Sequence, residues 1–503
     1  ELTLWAFVLS LAYYPWGLGF LAWFSIVRPA MIIASLEGRR AFAAAYLYGF
    51  CFTLFTIYWI WIVTPPGAIT AIIIVAFYYA GMLMIFNRLY RQKPLLGFIA
   101  LPVLWVGLEY IRTLSEFAFP WSDLGYTQTD YLYVLQIVSV ISVHGLSFLI
   151  VAVNVLLWQV FRKQLSPERR LTSAFLSIAV VVVVTAFGWI VIPSYPTEGD
   201  FKVAILQGSV PISVKWEQDN QEHSFNLYDS LTQSVDDTTV QLFIWPETSA
   251  PSYLSHSPAD RQRIGNIVRR SGGYHLVGAL GATRVGESYD YHNSCYQFSP
   301  NGVMGQRYDK VKLVPFSEQV PYQDRLPFLK KEVLTEYLTF IETYDVQWWS
   351  DFRPGDSILL FELPEASYGV AICFESTFPE YSREMIRKGA HFLVSITNDT
   401  WFGHSVGVYM HSRIMLTRAV ENRCWTARAA NSGISYVVDG YGRIRHQLGL
   451  DDVATLTAKV ELLDEYSIFT RHGDVVGYVC FLLTLPLIHI LPLIWLVKRI
   501  RAR

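Results

Sequence analysis

Apolar residues follow two regimes along the chain. Over residues 3–193 and 475–497 they form long runs, and between them they shorten to strand-length stretches separated by polar segments. A helix needs about 20 mainly apolar residues to cross the bilayer core. Runs near 41–63, 68–87, 96–113, 145–161, 173–193 and 475–497 meet that requirement. The stretch from Leu2 to Ser35 is also apolar, but Pro15-Trp16-Gly17 breaks it and Arg28-Pro29 interrupts it again, which predicts two short helices. The expectation is an α-helical membrane bundle of about eight transmembrane helices, seven before the central region and one after it.

In the central region the apolar stretches Lys202–Leu206, Gln241–Trp245, His275–Ala279, Ser357–Leu363, Tyr368–Cys373 and His391–Ile396 read as buried strands. Helical patterns near 216–236, 258–271, 379–389 and 407–423 lie between them. Such alternation predicts one α/β domain. The boundaries expected are 1–193 for the first seven helices, 198–470 for the domain, 475–497 for the eighth helix and 498–503 for a basic tail. No GxxxxGK[ST] loop, GxSxG elbow or HExxH helix is present, which removes the simple readings as nucleotide hydrolase, serine esterase or zinc protease.

Composition strengthens the membrane reading: 52% of the 503 residues are hydrophobic and 16% charged, against roughly 25% charged in an average soluble domain. A net charge of −2 offers no basic face for nucleic acid. The charges that do occur are placed asymmetrically. Arg39 and Arg40, Arg88, Arg91 and Lys93, Arg162, Lys163, Arg169 and Arg170, and the tail Lys498 to Arg503 all fall on one side of the predicted bundle. Positive residues near helix ends collect on the cytoplasmic side, so both termini are predicted there and the α/β domain on the opposite, extracytoplasmic face. The first segment has no basic n-region or small-residue cleavage site, against a signal peptide. A start inside a longer natural N-terminus is expected. The cysteines at 51, 295, 373, 424 and 480 form no CxxC pair or Cys/His cluster with zinc spacing, so no disulfide framework, metal or cofactor is predicted.

Two membrane features have double readings. Glu109 in an apolar helix raises suspicion of function, while Arg112 three residues on allows a plain i,i+3 ion pair. The loop segment Phe119-Pro120-Trp121 either lines a lipid entry path or anchors aromatic rings at the interface.

Within the domain, chemistry is suggested by strand ends. Trp245-Pro246-Glu247 closes a strand with a carboxylate, Tyr308-Asp309-Lys310 opens a proline-punctuated loop that runs to Glu318, and an apolar strand ends in Cys373-Phe374-Glu375. Singly, these are a turn glutamate, a solvated lysine and a small buried thiol. Their occurrence together, as acid, cation and nucleophile, is the pattern of thiol-based covalent catalysis.

The domain resembles the nitrilase superfamily through Trp-Pro-Glu at Glu247, Tyr-Asp-Lys at Lys310 and Cys-Phe-Glu at Cys373. With its flanking helices the whole chain resembles the bacterial apolipoprotein N-acyltransferase family, with further matches in Leu313-Val314-Pro315-Phe316 with Glu318, Asn398-Asp399 followed by Trp401-Phe402, and Phe119-Pro120-Trp121. Lys312 and Ser317 stand where the family's pattern has histidine and glycine. The resemblance implies a nitrilase-like αββα sandwich with Glu247, Lys310 and Cys373 as catalytic triad, the backbone N–H of Phe374 beside Lys310 as oxyanion donor, and Glu318 and Glu375 in support. Trp216, Trp121 and Trp401 are the expected substrate-binding side chains, with helix-start packing an equal reading for Trp216. Segment 322–352, ending in Trp348-Trp349, reads either as a lid that dips toward the membrane or as a surface insertion.

The implied activity is transfer of an acyl chain from a phospholipid to the N-terminal amine of a diacylglyceryl-cysteine apolipoprotein, through a thioester and without a cofactor, by a monomer. A membrane-tethered nitrilase-type amidohydrolase would use the same triad with water as acceptor. In a transporter or receptor, by contrast, Cys373 would be structural.

Overall fold

The computed structural model describes residues 1–195, 198–211, 218–330, 333 and 350–501. They fall into two compact units, one of Glu1–Trp61, Pro65–Pro193 and His472–Arg503, the other of Ile62–Thr64 and Ser194–Arg471.

In the first unit the apolar runs become helices: α1 Leu2–Ser10, α2 Val27–Ser35, α3 Gly38–Ile57, α4 Pro65–Gln92, α5 Pro94–Ile111, α6 Val138–Phe161, α7 Pro167–Val191 and the C-terminal helix Val475–Arg501. Among the described residues five of them, α3 to α7, are long and apolar enough to cross a membrane, and three further apolar stretches, Leu2–Leu11, Gly19–Ser35 and Val475–Ile488, are shorter. Helix α7 leaves Leu171, Phe175, Ile178, Trp189 and Ile190 exposed, a surface suited to lipid rather than water. Three local expectations shift. Arg28-Pro29 does not interrupt α2, because Pro29 lies in the first turn, where a missing N–H removes no helical bond. The run 41–63 ends its helix at Ile57 and resumes as a short turn at Ile60–Val63. Helix α6 begins at Val138 rather than 145 and kinks at Ser142, whose φ is 65°.

The second unit contains two sheets. One has the order β13-β1-β2-β4-β5-β6, with β3 pairing β4, and the other β12-β11-β10-β9-β8-β7. The first comprises β1 Phe201–Gln207, β2 Leu242–Ile244, β3 Ala250–Tyr253, β4 Tyr274–Val285, β5 Ser288–Phe298, β6 Met304–Asp309 and β13 Ala454–Val460. The second comprises β7 Leu360–Glu362, β8 Ser367–Ile372, β9 Phe392–Thr397, β10 Thr426–Ala430, β11 Tyr436–Val438 and β12 Ile444–Gln447. The core strands β1-β2-β4 and β8-β9-β10 are parallel.

Side chains alternate across a strand, and in the central strands both faces are apolar. Val203, Ile205, Leu242 and Ile244 pack with Val370, Ile372, Val394 and Ile396 between the sheets. Their neighbours Ala204, Leu206, Phe243 and Trp245 pack instead against α8 Gln218–Gln233 and α9 Pro258–Ser271, through Phe225, Tyr228, Ile264 and Val268. On the second sheet, α10 Pro379–Arg387 and α11 Val406–Asn422 bury Met385, Ile386 and Met415. The result is a nitrilase-like α/β layering of helices, sheet, sheet and helices.

Candidate active site

Cys373 and Glu247 lie just past the ends of the parallel strands β8 and β2, where α/β folds usually place their sites, and Lys310 just past the antiparallel strand β6. Strand β8 ends at Ile372, and Cys373 begins a short 3-10 turn with φ at +50°. A non-glycine residue in that region marks backbone held in place by its surroundings, and here it lifts the thiol out of the strand line. Glu247 follows β2 and Pro246, and Thr248 after it also has positive φ, at 48°. The backbone of β4 comes so close beneath this turn that a Cβ on Gly278 would lie 2.2 Å from the Pro246 oxygen and 2.8 Å from Glu247 Cα. Lys310 directly follows β6 and is anchored by its N–H to the Asn293 carbonyl at 2.8 Å.

The side chains converge on Lys310, which is 1% exposed. Its Nζ lies 2.9 Å from Glu318 Oε1 and 3.7 Å from Glu247 Oε1. Asn293 Nδ2 donates to both acids, at 2.6 Å to Glu247 Oε1 and 2.8 Å to Glu318 Oε1. The other oxygens are held by backbone, Asn398 N–H to Glu247 Oε2 at 2.8 Å and Val314 N–H to Glu318 Oε2 at 2.8 Å. Burial would lower the Lys310 pKa, but Glu318 and Glu247 together reverse this and raise it, so the ammonium is retained. The Cys373 thiol is pushed up, first by burial and then by the Glu247 charge, against the lowering effect of Lys310. At rest it is therefore a thiol, and any nucleophilic use of it would need a base to take its proton.

Glu375 underlies the turn. It accepts from Ile372 N–H at 2.8 Å, Val311 N–H at 2.6 Å, Lys312 N–H at 3.3 Å and the Tyr308 hydroxyl at 2.8 Å, which joins the β8 turn to the Lys310 loop. Burial pushes its pKa up to about 7. Lys312 contributes that backbone bond and extends its ammonium over the Phe378 ring, 5.2 Å from the centroid. The Phe374 side chain is buried, edge-on to Phe378 at 5.1 Å.

Behind Cys373 lies a second network that motif reading did not resolve. Asp399 accepts from Thr397 Oγ1 at 2.9 Å and Arg428 Nη2 at 2.5 Å, and meets His411 Nδ1 at 2.8 Å. His411 Nε2 reaches the Cys373 carbonyl at 3.2 Å and Ser376 Oγ at 3.0 Å. Arg428 was the available signal: an ionisable residue in the fully buried strand Thr426–Ala430 requires a buried partner.

The expected substrate-binding tryptophans do not share one environment. Trp401 lies on the short turn Asp399–Phe402 of the α/β unit. Trp121 belongs to the helical unit, buried between Trp59, centroids 4.8 Å apart, and Phe119 at 6.1 Å. Trp216, most of the expected lid 322–352 and its Trp348-Trp349 end lie outside the described residues.

The family described as the apolipoprotein N-acyltransferase N-terminal domain matches residues 5–156, and carbon-nitrogen hydrolase matches 202–467. The apolipoprotein N-acyltransferase of Geobacter metallireducens is 33% identical over 94% of this chain and 91% of its own length. The chain belongs to the apolipoprotein N-acyltransferase family. Relatives of the same name from Chlorobaculum tepidum and Thermotoga maritima are each 28% identical, over 92% and 91% of this chain and 89% and 84% of their own. Among solved structures, an amidase of the nitrilase superfamily from Nesterenkonia AN1 aligns with 57% of this chain and 96% of its own at 17% identity and a TM-score of 0.39. The carbon-nitrogen hydrolase match extends from β1 through β13, so it contains Glu247, Lys310 and Cys373.

Proposed function

We propose that this chain moves a fatty acyl chain from a membrane phospholipid to the N-terminal amine of a diacylglyceryl-cysteine apolipoprotein through a thioester on Cys373. The observation that carries the reading is the buried Lys310–Glu247 pair, both of whose charges act on the Cys373 thiol, in a chain whose relatives are named apolipoprotein N-acyltransferases along most of their length.

In the first half-reaction Glu247 takes the Cys373 proton as the sulfur attacks the ester carbonyl. The developing oxyanion is met by Lys310 Nζ and the Phe374 N–H, groups already fixed before charge appears. Collapse expels the lysophospholipid alkoxide, which takes the proton from Glu247, and leaves the acyl thioester. In the second half the apolipoprotein amine attacks the thioester, Glu247 accepts the ammonium proton, and the thiolate leaves and is reprotonated. The amide is the stable product, and the kinetics are ping-pong. Glu318 keeps Lys310 charged and aimed, and Glu375 holds the Cys373 turn to the Lys310 loop. Trp401, Trp121 and Trp216 serve the lipid substrates.

Eight crossings follow when the three shorter apolar helices are counted with the five long ones. The basic clusters then lie with both termini in the cytoplasm, and the 198–470 domain meets its substrates at the periplasmic face of the inner membrane as a monomer.

Intact mass spectrometry of the detergent-purified protein with phosphatidylethanolamine tests this. One acyl mass on Cys373, discharged by a diacylglyceryl-cysteine peptide, is expected. A folded sample that gains no adduct while its thiol still reacts with alkylating agents overturns the transfer reading in favour of an amidohydrolase.

A further inference from the structure

Within the helical unit, five ionisable side chains meet at matching ends of three helices, and the transfer mechanism uses none of them. Glu109 lies in the last turn of α5, Arg112 just beyond it and Asp123 in the following loop. His144 lies two residues past the α6 kink, and Asp474 immediately precedes the C-terminal helix. The expected Glu109–Arg112 pair is not formed among the described residues. Arg112 instead reaches Asp123 Oδ1 and Ser122 Oγ, each at 2.6 Å.

Each of Glu109, Asp123 and His144 is held from behind and open in front. Glu109 Oε1 accepts from Trp105 Nε1 at 3.0 Å and Leu124 N–H at 2.9 Å, Asp123 Oδ1 accepts from Arg112, and His144 Nδ1 meets Asp474 Oδ2 at 2.5 Å. Their remaining atoms, Glu109 Oε2, Asp123 Oδ2 and His144 Nε2, are fully buried and make no hydrogen bond; His144 Nε2 and Asp123 Oδ2 lie 3.4 Å apart, close enough for an ion pair when His144 carries a proton. Buried polar atoms are rarely left so, and one ligand atom from each residue lies within 4.8 Å of the others.

We propose that Glu109, Asp123 and His144 bind a divalent first-row metal ion, zinc foremost. A tetrahedral ion with bonds of about 2.1 Å spaces its ligand atoms by about 3.4 Å, and His144 Nε2 lies 3.4 Å from Asp123 Oδ2. A histidine ligand whose other nitrogen donates to a carboxylate is the usual support of such sites, and Asp474 fills that role. Charge allows it. Three carboxylates face one guanidinium here, so with His144 neutral a dication balances the cluster in a region where unpaired charge is strongly disfavoured. Ser142 completes the support, donating from the kink to Asp474 Oδ1 at 2.5 Å. The ion would fasten α5, α6 and, through Asp474, the C-terminal helix. Ligands 14 and 21 residues apart, drawn from three elements, carry no motif spacing that a sequence scan detects.

The full-length protein in detergent, stripped with a chelator and titrated with zinc, should take up about one ion per chain. Glu109→Gln and His144→Asn should abolish that uptake, and Asp474→Asn, a positioning change, should weaken it by about 10- to 100-fold. Cys373→Ala should leave it unchanged. No uptake by the wild type, or equal uptake by the Glu109 and His144 variants, overturns the site and leaves a network balanced by protons. Should the variants not fold, X-ray absorption of the zinc-loaded wild type decides: nitrogen and oxygen ligands alone are expected, and a sulfur ligand overturns the assignment.

Discussion

The two units each bury a cluster of acids around a cation, and they complete it differently. Around Lys310, each oxygen of Glu247 and Glu318 receives a donor from Asn293, Asn398, Val314 or the ammonium itself. Around Arg112, one atom each of Glu109, Asp123 and His144 has none. The acids around Lys310 are satisfied and held in place, and in the proposed mechanism the fixed dipoles around them meet a charge that appears only during reaction. A cluster with converging open atoms is incomplete until something occupies it. Burial alone does not separate the two clusters, and neither does one unpartnered atom, since Asn293 Oδ1 is such an atom beside Lys310; whether every carboxylate oxygen has a donor does.

The largest effect should come from removing the one reactive atom of the satisfied cluster. Cys373→Ala should lower acyl transfer by about 10,000-fold or more, since deleting a covalent nucleophile leaves only positioning and oxyanion stabilisation. Measured with labelled phospholipid and a diacylglyceryl-cysteine peptide, near-normal transfer would break the comparison, because Lys310 and Glu247 would then be a structural ion network like its counterpart.

Asn293→Ala should come next. It withdraws a donor shared by Glu247 and Glu318 and so makes the catalytic cluster resemble the open one. A buried acceptor left short of a donor loses about 1–3 kcal/mol, which corresponds to a fall of about 5- to 150-fold in kcat with KM little changed. A loss confined to KM would assign Asn293 to lipid binding instead.

Asn293 also marks where sequence reading stopped. Strands with two apolar faces, such as Lys202–Leu206, and the helix 258–271, with Ser257 capping its start and Gly272 in left-handed conformation at its end, were legible because local pattern determines them. Strand β5, Ser288–Phe298, was not, since its polar residues pair antiparallel with β4 and its side chains are buried only by tertiary packing. Glu247, Lys310 and Cys373 were legible through their motifs. Of their partners, Glu318 and Glu375 were expected and Asn398 stood in a matched motif without a role, whereas Asn293 and His411 were not legible, because they arrive from a strand and a helix far away in sequence. Of the two readings of Glu109, the pair with Arg112 was not met for a related reason: i,i+3 spacing permits it, but Asp123 is better placed to accept from Arg112.

The smallest effect concerns Glu375, which combines both patterns: four donors converge on it, yet burial raises its pKa from 4.5 to about 7. Below about pH 4.5 folded and unfolded chains both keep the proton, and no stability difference arises. As pH rises toward 7 the unfolded chain releases it first, so stability falls, and above 7 the full deficit of about 3 kcal/mol persists. Glu375→Gln has no such titration. Between pH 5 and pH 8 the thermal midpoint of the wild type should therefore drop by a few degrees relative to that variant, whatever constant offset the lost hydrogen bonds add. A difference that stays flat would mean that Glu375 is ionised throughout, its four donors outweighing burial, and would place it with Glu247 and Glu318 among the fully compensated acids.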